Sequence, residues 1–255
     1  MKRWWLVPIA IGVAGVLIVA ALAFSVLRVL SEREAEPSVP SGPRAGAAEV
    51  APSAAPSPST GGIASRVDPE WVARVADEAG IPQRALAAYA GAALALAAES
   101  AGCGVGWNTL AGIGYVESLH GTIHGSSIDA DGVARPGILG IPLDGSPLSD
   151  GSPTTQVPDT DGGALDGDAT WDRAVGPMQF IPSTWEIYGR DGNGDGVADP
   201  HQIDDAALAA ATYLCAAGGD LRVPQNWIAA VAAYNADVAY NNRVAAAADG
   251  YALAG

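Results

Sequence analysis

Glu117 lies in the run GIGYVESLHG, residues 112–121. Helical spacing from Asn108 to about His120 puts it near the C-terminal end of a helix, among Ile113, Val116 and Leu119, with Gly121 as the terminator. The C-terminal end of a helix carries partial negative charge, which disfavours ionising a carboxyl group. Apolar neighbours act in the same direction. Both raise the pKa, as a general acid near neutral pH requires. A helical glutamate alone is ordinarily a solvated charge, so the weight falls on what accompanies it.

Three further segments accompany it. In AVGPMQFIPSTWEIYG, residues 174–189, Gly176-Pro177 breaks the chain and Pro182 precedes the next helix. Met178, Gln179 and Phe180 therefore sit in a turn that can project into a cleft. In AAVAAYNAD, residues 229–237, Tyr234 and Asn235 follow an apolar helical run. DGNGDGVADPHQIDD, residues 191–205, has Asp191, Asn193 and Asp195 at positions 1, 3 and 5 of a calcium-binding loop. Gly196 falls at the turn position, Val197 offers its carbonyl, and Asp199 stands at position 9. Position 12 is Gln202 rather than a bidentate glutamate, and a neutral amide does not replace that carboxylate. The other reading of this stretch is an Asn/Asp/Gly turn without metal.

These pieces need a helical frame. Asp68-Pro69 reads as an N-cap followed by proline at the first helical position, with Trp71, Val72 and Val75 on an apolar face. A second helix follows Pro82, with Leu86, Tyr89, Ala93 and Leu96 at helical spacing. Ser183-Thr184-Trp185-Glu186 has capping-box spacing and predicts another helix start. Residues 204–217 and 226–247 read as Ala-rich helices. No run of alternating residues predicts a strand, so the expected domain is mainly α. Residues 122–172 form a long irregular insertion between two candidate site segments, the position of a cleft wall.

The N-terminus differs in kind. From Trp4 to Leu27 there is no charge, about 24 residues where about 20 suffice to span a bilayer. Lys2 and Arg3 precede the run, favouring a cytoplasmic N-terminus. The expectation is a transmembrane anchor over 1–30; the alternative is a cleaved signal peptide ending near Ala21-Leu22-Ala23. Residues 31–66, rich in Pro, Ala, Ser and Gly, read as a flexible linker, and the folded domain as 67–255. On either reading everything after residue 30 lies outside the cytoplasm. Cys103 and Cys215 are the two cysteines, and an oxidising compartment favours pairing them, against two buried free thiols. The net charge of −15 argues against nucleic acid and against anionic membrane surfaces as partners.

Taken in order, IGYVESLHG, AVGPMQFIPSTW, DGNGDGVADP and AAYN make most of residues 68–247 resemble the lytic murein transglycosylases of the MltB type, within the lysozyme-like superfamily. The resemblance implies a lysozyme-like α+β fold and peptidoglycan glycan strands as substrate. It makes Glu117 the catalytic acid/base and Ser118 an orienting neighbour. Met178, Gln179 and Phe180 would line the sugar subsites, and Tyr234, followed by Asn235, would close over the cleaved bond. The loop in these enzymes is longer, with its last carboxylate further on. Asp205 fits that place, which completes a calcium set of Asp191, Asn193, Asp195, Val197 and Asp205, with Asp204 as a helix cap. No organic cofactor is expected. One carboxylate suffices if the substrate's own C6 hydroxyl attacks C1 to give a 1,6-anhydro product, an intramolecular step favoured by high effective molarity. Hydrolysis would need a second carboxylate, for which Asp129, Asp131 and Asp172 are available. A third reading is a cell-wall binding module without catalysis. Ala236-Asp237 stands where relatives commonly carry glycine.

Other residues read more plainly. His120 and His124 are four apart, but Gly121 between them spoils zinc geometry. DTDGGALDGD, residues 159–168, reads as a solvated acidic loop sooner than a cation site. Trp107, Trp185 and Trp227 read as core, and Trp171 as the better candidate for stacking on a sugar.

Overall fold

The computed structural model describes residues 52–55, 61–147 and 154–255. The expected membrane-spanning run and most of the linker lie outside the described residues. Among the described residues no helix is long and apolar enough to cross a membrane.

Seven α-helices make up the described frame: α1 (Pro69–Ala79), α2 (Gln83–Glu99), α3 (Trp107–Ser118), α4 (Pro182–Tyr188), α5 (Ile203–Gly218), α6 (Pro224–Tyr234) and α7 (Val238–Tyr251). The expectation of a mainly helical domain holds. Asp68 caps α1 by accepting from the Glu70 amide at 2.9 Å, and left-handed Gly80 closes it, as the sequence predicts. α2 is the central helix. It packs against α1, α3 and α5 and buries Leu86, Tyr89 and Leu96. Its many alanines keep the neighbouring axes close.

The folded body begins before residue 67. Ile63 is buried in the core within a short 3-10 turn, Ile63–Arg66, and Ala54 bridges to Val67. The linker boundary at residue 66 is therefore corrected toward the N-terminus. The insertion is also less irregular than expected. It holds strands β1 (Ser127–Ile128) and β2 (Ala134–Arg135), paired antiparallel, and β3 (Leu139–Pro142), paired antiparallel with β4 (Arg173–Val175). Alternation cannot announce strands of two to four residues. The acidic stretch folds on its own backbone: Asp159 accepts from the amides of Asp161, Gly162 and Gly163, and Asp161 from those of Gly163 and Leu165.

Two helix boundaries also depart from expectation. α4 starts at Pro182 with Ile181 as its N-cap and no side-chain cap, so the Ser183–Glu186 capping box does not form. The expected single helix over 226–247 is two helices, broken at residues 235–237. Asp237 caps α7 by accepting from the Tyr240 amide at 2.6 Å. Asn241 secures the break by donating to the carbonyls of Asn235 and Asp237.

Cys103 and Cys215 form a disulfide that ties the loop before α3 to α5 across 112 residues of sequence. In the chain-entropy picture a loop of that length is worth about 4–5 kcal/mol. Replacing both cysteines with serine should lower the melting temperature by about 10 °C, read by differential scanning calorimetry. An unchanged melting temperature would show that the bridge contributes nothing to stability.

Candidate active site

α3 carries Glu117 on its last turn and packs lengthwise on α7. The two helices approach closely because Gly112 faces the α7 backbone: a Cβ there would lie 2.9 Å from the Val244 carbonyl oxygen. Asn108 adds a hydrogen bond from its amide to the Ala248 carbonyl at 3.1 Å. This packing sets Tyr240, in the first turn of α7, against the end of α3. The Tyr240 hydroxyl donates to Glu117 Oε1 at 2.5 Å.

α3 ends at Ser118, earlier than the sequence suggests, and Leu119, His120 and Gly121 all take left-handed backbone conformations. Two of the three are not glycine, which costs energy that the surroundings must supply. The Ser118 hydroxyl accepts from the Gly121 amide at 2.8 Å and donates to the Pro177 carbonyl at 2.5 Å. His120 is buried between tyrosines, with Nε2 2.9 Å from the Tyr251 hydroxyl and Nδ1 3.4 Å from that of Tyr89. Burial pushes its pKa down to about 4, so at neutral pH it is an uncharged hydrogen-bonding wedge. This placement removes His120 from any metal pairing with His124. Ser118 is fully buried, so its place is to tie the Glu117 turn to the opposing loop.

The opposing loop is a tight turn between β4 and α4. The amide of Val175 donates to the Phe180 carbonyl at 2.8 Å, and that of Phe180 to the Val175 carbonyl at 3.1 Å. Gly176 packs directly on the Pro200 carbonyl, leaving no room for a side chain. Gln179 is left-handed at φ 51° and folds its amide onto the Gly176 carbonyl at 2.8 Å. A strained non-glycine residue at a turn tip marks a place where side-chain direction matters. Met178 is fully buried in the core, which corrects its expected place on a sugar subsite. Its carbonyl instead accepts from the Tyr234 hydroxyl at 2.7 Å.

Gln179, Phe180, Ile181, Thr184, Tyr213, Ala233 and Tyr234 line a cavity of about 240 Å³. Its wall is a chain of edge-on aromatic contacts: Phe180 on Tyr234 at 5.7 Å, Tyr234 on Tyr213 at 5.5 Å, and Tyr213 on Tyr188 at 4.9 Å. Aromatic faces with a few fixed polar groups are the composition of a sugar-binding surface. Asn235 is exposed at the helix break and spends its side-chain oxygen on the Asp237 amide. Trp171 is half-buried beside Pro158, while Trp107, Trp185 and Trp227 are core, as expected.

Burial raises two carboxyls above their ordinary range, Asp205 in the 191–205 loop to about 6 and, further, Glu117. Burial pushes the Glu117 pKa up to about 7, against smaller opposing effects from the Tyr240 hydrogen bond and the Arg243 charge. Burial, and then the Glu117 charge, hold the Tyr234 and Tyr240 hydroxyls well above the ordinary tyrosine range. They therefore serve as donors. The other acids first considered are occupied elsewhere. Asp129 pairs with Arg135 at 2.7 Å, Asp131 is exposed, and buried Asp172 accepts from the Thr160 amide and hydroxyl. Asp159, Asp161 and Asp172 bring oxygens within 4.8 Å of one another, with backbone amides and Thr160 already bonded to them.

The 191–205 loop braces this turn rather than entering the cavity. Its Asp191 carboxylate accepts from the amides of Gly194, Asp195 and Gly196, and Asn193 Oδ1 from that of Asp195. Asp205, fully buried, accepts from the amides of Gly192, Asn193 and Asp199. Gln202, not Asp204, caps α5; Asp204 is instead ion-paired with Arg84 at 2.6 Å. Tyr240, Tyr213 and Arg243 are site residues that sequence reasoning missed. The signal for Tyr240 was Asp237 as an N-cap three residues before it, hidden by reading one helix through the break.

Residues 160–249 match the family described as Transglycosylase SLT domain. The matched span holds the 176–180 turn, the 191–205 loop, Tyr213, Tyr234, Tyr240 and Arg243, and leaves out Glu117. It supports a place among the lytic transglycosylases of the lysozyme-like superfamily. No curated protein and no solved structure matches the chain.

An NMR titration of the Glu117 carboxyl carbon should give a midpoint near 7. In Tyr240→Phe the midpoint should move higher, because a hydrogen bond that favours the ionised form is lost. An ordinary carboxylate midpoint, or a downward shift in the variant, would contradict the description of this pair.

Proposed function

We propose that this chain is a peptidoglycan lytic transglycosylase that cleaves the β-1,4 bond between N-acetylmuramic acid and N-acetylglucosamine, leaving 1,6-anhydro ends. The observation that supports this most is one half-buried carboxyl, its pKa pushed up to about 7, at a helix end tied through Ser118 to the turn that lines an aromatic cavity. The match of residues 160–249 to a transglycosylase domain agrees with it.

Glu117 gives its proton to the glycosidic oxygen as the C1–O bond breaks, and the N-acetyl group of the muramoyl sugar stabilises the developing cation. The Glu117 carboxylate then takes the proton from the C6 hydroxyl as O6 bonds to C1. Glu117 ends protonated, ready for the next bond. Tyr240 holds the carboxyl in one orientation throughout and stabilises it in the ionised interval. Tyr234 and Gln179 line the neighbouring cavity, which would take the sugar. With Asp129, Asp131 and Asp172 occupied elsewhere or exposed, the cycle in which one acid suffices fits better than hydrolysis, which needs a second.

Glu117→Gln should abolish release of anhydro-muropeptides from sacculi, read by mass spectrometry, while circular dichroism stays unchanged. Normal release by the variant would end the assignment. Products with reducing ends in the wild type would indicate hydrolysis, and retention of sacculi without new ends would indicate a binding module.

A calcium ion in the 191–205 loop belongs to the same reading. Hard oxygen donors from Asp191, Asn193, Asp195 and Asp205 with the Val197 carbonyl suit that ion. Asp205 is a fully buried carboxylate that accepts from the amides of Gly192, Asn193 and Asp199, with no side-chain cation paired to it among the described residues, and this buried charge is what supports the ion. Its role is to stiffen the support under Gly176. Calcium in excess should raise the melting temperature relative to chelator, and Asp205→Asn should abolish the increment. Equal melting temperatures would exclude the ion. The uncharged run from Trp4 to Leu27 supports a single-pass anchor that holds the domain on the cell-wall side of the membrane.

A further inference from the structure

Lys2 is the chain's one lysine, so every lysine or arginine cation of the described residues is an arginine. Those arginines are at 66, 74, 84, 135, 173, 190, 222 and 243. Six are spent on carboxylates: Arg74 on Glu78, Arg84 on Asp204, Arg135 on Asp129, Arg173 on Asp168, Arg190 on Glu99 and Arg222 on Asp220. Arg66, in the 3-10 turn at the start of the folded body, and Arg243 pair with no carboxylate among the described residues, and it is Arg243 whose charge acts on Glu117. Arg243 is exposed and lies one helical turn after Tyr240. Its guanidinium carbon is 6.0 Å from the centre of the Tyr240 ring, and its charge acts on both Glu117 and Tyr240.

The setting gives this placement meaning. The chain carries a net charge of −15, so its overall field repels anions. An anionic ligand near Glu117 must therefore be held by a local cation. The ring of Tyr240 supports the guanidinium from one side. The planar fork stays free to take a carboxylate through two parallel hydrogen bonds, a geometry lysine cannot reproduce.

We propose that Arg243 is a specificity-determining residue that anchors a carboxylate carried by the muramoyl sugar beside the cleaved bond. The inference rests on the glycan-cleaving function proposed above. The carboxylate has two sources on that sugar, its own lactyl group where no peptide is attached, and the acids of the attached peptide. Either one placed on Arg243 brings the muramoyl unit, rather than its neutral N-acetylglucosamine neighbour, over Glu117. The acid is thereby directed to one of the two alternating bonds of the strand.

The test uses the full chain carrying Glu117→Gln, so that ligands bind without turnover. Three soluble glycan oligomers are titrated: one free of peptide, one bearing peptides with free carboxylates, and one whose carboxylates have all been converted to amides. Arg243→Gln should weaken binding of a carboxylate-bearing oligomer by about fivefold and leave the amidated oligomer unchanged. Arg243→Lys should recover only part of the loss. A loss confined to the peptide-free oligomer assigns the lactyl group, and one confined to the peptide-bearing oligomer assigns the peptide. Equal effects on charged and amidated oligomers, or no effect on any, would overturn the anchor. If none of the three binds to the Glu117→Gln chain with Arg243 intact, the glycan reading itself fails and takes the anchor with it.

Discussion

A half-buried carboxyl held by one phenol is the constraint around which this structure is arranged. Withdrawal from water keeps Glu117 protonated to about pH 7, but the same withdrawal would leave a carboxylate poorly solvated once the proton is gone. The Tyr240 hydroxyl meets that need with a single short hydrogen bond. Burial raises the pKa and the hydrogen bond lowers it, so the acid is balanced between its two states rather than locked in one. Such a balance requires that the α3–α7 spacing be fixed to a fraction of an ångström. Gly112 against the Val244 carbonyl, Asn108 on Ala248 and His120 on Tyr251 fix it along the length of the helix pair.

The second half of the site is held from outside the cavity. The turn at 176–180 is closed by its own backbone, tied to α3 through Ser118 and Pro177, and backed by the Pro200 carbonyl of the 191–205 loop. That loop also binds the Ile63 amide through the Gly192 carbonyl, and the amide of Ala134 through the His201 carbonyl. This acidic loop is thus a structural junction between the N-terminal turn, the β1–β2 hairpin and the candidate site.

Much of this was legible in the residues. Caps and prolines located α1 and α2 closely, because those signals act within a few residues of the positions they govern. The pairing of Cys103 with Cys215 followed from their number and the expected compartment. Glu117 could be singled out because helix-end and apolar-neighbour effects are both local. What stayed hidden depended on packing. Met178 looks like a lining residue in its turn, yet its side chain points into the core and only its carbonyl serves the site. Tyr240 was lost because an Ala-rich run with no glycine or proline reads as one helix; Asn235 and Asp237 break it through hydrogen bonds that a propensity scale does not count. Strands as short as β1 to β4 have no periodicity to detect. They form because the insertion is held to the turn and to the loop.

The central claim is that chemistry depends on Glu117 carrying its proton in the free protein. Measuring kcat/KM for glycan cleavage across pH 4 to 9 tests this most directly. The carboxyl must be protonated to act, so the rate constant should hold on the acidic side and fall as pH rises through about 7. A decline already complete near the ordinary carboxylate range, or a rate undiminished through pH 9, would contradict the account.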